Sequence, residues 1–116
     1  MNTRLMYFAT GDGADAEADM IAIPIHRLIA ITPGSDTILV MKFLPSENML
    51  REDANHFDYV ALTITTDKHK KVTSSINDAI NNDGKGLILI CDKDNNVFVD
   101  ADITDCTISI NADDVA

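Results

Sequence analysis

The 116-residue chain has no Trp, and its aromatic content is four Phe and two Tyr. The core must therefore be aliphatic, built from Ile, Leu, Val, Met and Ala. No run of about 18 apolar residues occurs, so no segment reads as a membrane-spanning helix. Basic residues are scarce: 9 Lys and Arg stand against 19 Asp and Glu, a formal net charge of −10. Phosphate contact needs a basic face, so this balance argues against DNA or RNA as a direct ligand. It argues equally against an anionic membrane surface. Cysteine is limited to Cys91 and Cys106, each in a strand-like apolar run. With no framework of spacings, they read as two buried free thiols. The apolar stretch after Arg4 ends by Gly11, too short for the apolar region of a secretory signal. The expected location is cytoplasmic.

What is present is an ordinary globular mixture of one-domain size, 46% hydrophobic and 24% charged, and we expect a single domain over 1–116. Residues 4–10 read as a first strand, followed by the acidic loop 11–19. Residues 20–25 read as a strand that Pro24 restricts to an edge or an end. Residues 27–32 and 37–43 read as a hairpin around "PGSD", Pro33 to Asp36, where Pro fixes φ and Gly permits positive φ. Residues 45–56 are polar and irregular, with room for one helical turn. Over residues 57–65, Val60, Leu62 and Ile64 alternate with Tyr59, Ala61 and Thr63. Val72, Ile76, Ala79 and Ile80 recur at helical spacing, which predicts one amphipathic helix over about 67–82. Thr66 or Asp67 is placed to cap its start and Gly84 its end. The continuous apolar run "GLILIC", residues 86–91, predicts a central strand buried on both faces. "CTISI", residues 106–110, makes the last strand. The expected fold is α+β: a mainly antiparallel sheet or small barrel of about seven strands, with one helix before the last strands.

The most chemically suggestive stretch is "CDKDNNVFVDADITD", Cys91 to Asp105. Asp92, Asp94, Asn96 and Asp100 fall at the ligand spacing of a calcium-binding EF-hand loop. However, Val97 stands where that loop needs Gly, Ile103 stands where it needs a bidentate Glu, and the flanks are strand-like. A hairpin tip with a half-buried strand explains more: Val97, Val99, Ala101 and Ile103 inward, Asp100, Asp102 and Thr104 to water. A looser attraction of divalent ions to these carboxylates stays open.

Other motifs are weaker. "GDGADA", Gly11 to Ala16, matches a dinucleotide fingerprint formally, but places Asp12 and Asp15 beside a pyrophosphate and has no long helix after it. "KHKK" gathers Lys68, Lys70 and Lys71 at the start of the expected helix, where anions are favoured; a solvated first turn is the plainer reading. His26, His56 and His69 lie at no metal-ligand spacing, and Ser35 sits in a turn rather than a nucleophile elbow. Cys91 ends an apolar strand and lacks the exposed, basic setting of a catalytic thiol. No catalytic, cofactor or metal residue is assigned.

The order of pieces "PGSDTILVMKF", "VALTITTDKHKKVTSSINDAI" and "GKGLILICDKDNNVFVDADIT" resembles short uncharacterised proteins of marine cyanophages and related marine metagenomic sequences. The similarity spans about residues 20–105, with "TTDKHKKV" its most particular piece. It carries no catalytic motif and transfers no functional residue. It implies a phage-infected host cell or a virion as the setting, and a structural or assembly role. Two classes of function follow. The first is a non-enzymatic, self-associating structural or interaction protein with viral or host partners, using a face that includes Tyr59, Ala61 and Thr63 with Met41 and Phe43. The second is a small-ligand or divalent-ion module built on the acidic hairpin, residues 92–105.

Overall fold

The computed structural model describes residues 4–11, 20–44, 56–82 and 86–113. The elements run β1 (Leu5–Ala9), β2 (Met20–Pro24), a single 3-10 turn (Ile25–Arg27), β3 (Leu28–Ser35) and β4 (Ile38–Phe43). After these come β5 (His56–Ile64), α1 (His69–Asn82), β6 (Leu87–Asp92), β7 (Val97–Phe98) and β8 (Ile103–Asp113). The α+β expectation holds, but the strands divide into two four-stranded sheets instead of one. Their orders are β2-β1-β6-β7 and β3-β4-β5-β8. All neighbours are antiparallel except β1 and β6, which run parallel.

The chain passes between sheets at the 3-10 turn, through α1 and at residues 99–102. At the first crossing the ladder bonds continue across the corner: Ile25 N–H donates to Arg4 O at 3.0 Å and Leu44 N–H to Arg27 O at 2.9 Å. Arg27 also donates to the buried Asp58 carboxylate at 2.9 Å, so that charge is paired inside the corner. Pro24 closes an edge strand, as its missing N–H requires.

The inner faces of both sheets and one face of α1 share one core. Met6, Phe8, Ile88 and Ile90 come from the first sheet; Leu39, Met41, Phe43, Val60 and Leu62 come from the second. Phe8 meets Phe43 edge-on across the gap, with ring centroids 6.0 Å apart. Val72 and Ile76 are fully buried, and Ala79 and Ile80 pack at the margin, so the helical periodicity identifies the inward face correctly. Arg4 caps the other end of this helix, donating to Ala79 O at 3.2 Å and to Ile80 O.

Local chemistry moves several boundaries. The β3–β4 turn is Asp36–Thr37, with Ser35 paired to Ile38, so Pro33 and Gly34 belong to the strand. Gly34 does not use a positive φ; it sits at a register shift where a Cβ would lie 3.0 Å from Ile38 and Val40 side chains. Asp67 does not cap α1. It takes a left-handed φ of 62°, which Asp tolerates, in the turn that ends with Lys68 N–H donating to Thr65 O. The helix begins at His69. β6 is an inner strand, yet Leu87 and Leu89 are 43% and 36% exposed, so its apolar run is buried on one face only. Residues 12–19, which hold all of "GDGADA" but Gly11, the polar segment 45–55 and Gly84 lie outside the described residues.

Candidate functional site

The acidic stretch forms a hairpin tip, as its turn formers predict, but Asp92, Asp94, Asn96 and Asp100 do not converge as ligands. Asp92 pairs with Val97 at the foot of the turn Lys93–Asn96. Its carboxylate accepts from Asn95 N–H at 3.2 Å and Asn95 Nδ2 at 3.0 Å. Asn96 supplies the left-handed residue, φ 56°. Asp94 and Asn96 point into solvent. Among the described residues, no group of three or more His, Cys, Asp and Glu is placed to hold a metal ion.

The half-buried strand expected after this tip is a correction. β7 is two residues long, Val97 is 43% exposed, and Asp100 is turned inward beneath α1. The reason is a cation 29 residues away in sequence. Lys71 Nζ donates to Asp100 and to Asp102, each at 2.8 Å, and Ser75 Oγ donates to the other Asp100 oxygen at 2.5 Å. Asp102 N–H completes the set at 2.8 Å. Burial pushes the Asp100 carboxyl up, but hydrogen bonds from Lys71, Ser75 and the Asp102 amide outweigh it and hold it below the ordinary range. Asp102 is likewise held low, by Lys71 first and Thr65 second. Lys71 is raised, chiefly by its hydrogen bonds to Asp100 and Asp102.

The basic cluster is thereby split. Lys71 clamps the β7–β8 connection, while Lys68 and Lys70 remain exposed. His69 Nε2 lies 2.6 Å from Ser35 O and 3.1 Å from Ile38 O. Both partners are carbonyls, so Nε2 carries the hydrogen and the ring is fixed against the β3–β4 turn. His26 is exposed on the 3-10 turn, remote from any such cluster; the His56 side chain lies outside the described residues.

Cys91 and Cys106 are free and buried, as expected. They join the two sheets: Cys91 stands opposite Phe8 in β1, and Cys106 Sγ donates to Ala9 O at 3.5 Å. A hydrogen bond with Cys106 and burial push the Cys91 thiol above its ordinary range, which disfavours its thiolate.

Two features had no sequence signal. The first is the outer face of the first sheet. Leu5, Tyr7, Ala22, Met20, Leu87 and Leu89 alternate with inward residues, and the registers Leu5↔Leu87, Tyr7↔Leu89 and Tyr7↔Ala22 bring them together. Met20, Leu87 and Leu89 are the exposed members, and no charged residue lies among the six. The second is a groove of about 570 Å3 between α1 and edge strand β3. Leu28, Ile31, Leu39, Ile76 and Ile80 supply its apolar walls; His69 and Lys70 stand at the helix N-terminal end. The face expected at Tyr59, Ala61 and Thr63 exists on the outside of the second sheet, but Met41 and Phe43 are fully buried on its inside and cannot contribute. Compared with protein-family models, curated proteins and solved structures, the chain matches none.

Proposed function

We propose that the protein is a non-enzymatic interaction protein that self-associates through the outer face of its first sheet. In the setting implied by its resemblance to marine cyanophage proteins, this is the work of a virion or assembly component. The observation that carries the reading is the uncharged aliphatic face of Met20, Leu87 and Leu89 on a chain of net charge −10. Contiguous apolar surface on a soluble-type fold marks a contact site. A second copy is a suitable cover because apposing two such faces brings no like charges of the described face residues into contact. The residual repulsion is long-range and screened by salt.

Sedimentation across protein concentration tests this. Association is expected to strengthen with added salt, and Leu89→Glu is expected to weaken it strongly while leaving the thermal midpoint of the dilute, monomeric protein unchanged. A native protein that stays monomeric at high concentration and high salt overturns the proposal.

A further inference from the structure

We propose that the groove between α1 and β3 binds a single-chain amphiphile with an anionic head group, such as a medium-chain carboxylate. Its volume of about 570 Å3 lies within the range of small-molecule sites, about 300–1,000 Å3. Its strand wall is apolar, built from Leu28, Ile31, Pro33 and Leu39, and the helix wall sets Ile76 and Ile80 beside the neutral Thr73, Ser74 and Asn77. Lys70 stands at the end opposite Ile80, exposed, in the first turn of α1.

Charge decides the head group. The chain carries 19 Asp and Glu, yet among the described residues no carboxylate lines this groove, and the single permanent charge there is Lys70. A cationic ligand would find nothing to pair with. An anion would meet Lys70, with the Thr73 and Ser74 hydroxyls one turn along on the same wall. His69 is held by the carbonyls of Ser35 and Ile38, so that end of the groove is rigid before any ligand enters. Diversion of Lys71 to Asp100 and Asp102 leaves Lys70 as the cation of this turn that faces the groove.

The experiment is titration with decanoate, decanol and decyltrimethylammonium, below their micelle concentrations, read by calorimetry and by amide chemical shifts. Decanoate is expected to saturate and to shift Ile31, Thr73, Ser74 and Ile80. Decanol is expected to bind the same residues more weakly, and the cation not to bind. Lys70→Glu is expected to weaken decanoate roughly tenfold, the worth of one charge-assisted contact, and to leave decanol unchanged. Thr73→Trp, which fills the groove, is expected to remove both. Equal binding of the cation, decanoate shifts confined to residues outside the groove, or a Lys70→Glu variant that binds decanoate normally would each overturn the proposal. None of these readouts depends on oligomeric state, because Leu89→Glu provides a background for repeating them.

Discussion

The two sheets use the same inward chemistry and opposite outward chemistry. Both present Phe, Met and Ile to the shared core, and the second sheet adds Leu39, Val60 and Leu62. Outside, the first sheet presents Leu87, Leu89 and Met20, while the second presents Thr63, Thr107 and Ser109 with Tyr59 and Phe57. The aromatic pair on the second sheet is covered by its own neighbours. Phe57 and Tyr59 meet edge-on at 6.4 Å, and Lys42 Nζ sits 4.2 Å above the Phe57 ring. The outward aromatic pair of the second sheet is thus packed by its own neighbours, whereas Met20, Leu87 and Leu89 on the first sheet stand exposed. The difference teaches that alternation along a strand settles which residues share a face, whereas the need for a partner depends on what the adjacent strands place beside them.

The largest effect is expected where the sheets are alike. Phe43→Ala removes a fully buried ring that touches Phe8, and should cost about 3–5 kcal/mol in denaturant unfolding. A value near that of an exposed site would mean that the two inner faces do not form one core. Next comes the contrast between outer faces. Leu89→Glu should weaken self-association by about 2–4 kcal/mol, as loss of a central contact does, whereas Thr107→Glu on the second sheet should leave it unchanged. Equal sensitivity of the two sites to sedimentation would erase the distinction.

The connection between the sheets gives an intermediate effect. Asp100→Asn removes the buried acceptor of Lys71 and Ser75, and should cost about 1–3 kcal/mol at neutral pH. The pH dependence follows from the shifts. Asp100 and Asp102 have folded values below the ordinary 3.8, so their contribution is present above that value and is lost as pH falls through the folded ones. Lys71 has a folded value above the ordinary 10.5, so its contribution is present below that value and disappears as pH rises through the folded one. Thermal melts across pH should therefore show the native protein losing its advantage over Asp100→Asn on the acid side. The smallest effect is Lys42→Ala, about 0.5–1 kcal/mol for a half-buried residue whose cation lies over a ring, measured by the shift in denaturation midpoint.

Much of the fold was legible locally. The period-2 alternation of Val60, Leu62 and Ile64 and the period-3.6 face of Val72, Ile76, Ala79 and Ile80 stand where their patterns placed them, and β3 and β4 pair as expected with the turn moved to Asp36–Thr37. The acidic hairpin tip was legible too, because Asp and Asn carry turn chemistry in their own side chains. The inward turn of Asp100 was not legible, since its partner Lys71 is distant in sequence and looked like one member of a solvated basic cluster. Nor was the groove, which needs a helix and an edge strand to lie side by side.

By itself, then, the sequence determined most of the elements, the inward faces of β5 and α1, the buried thiols and the aliphatic core, because each rests on neighbours within one or two turns of chain. Only the tertiary structure decided the division into two sheets, the parallel pairing of β1 with β6 and the exposure of Leu87 and Leu89. Those outcomes depend on contacts between distant segments. A run such as "LILIC" states that it can be buried on both sides, but it cannot state whether the second side is covered by its own chain or by another.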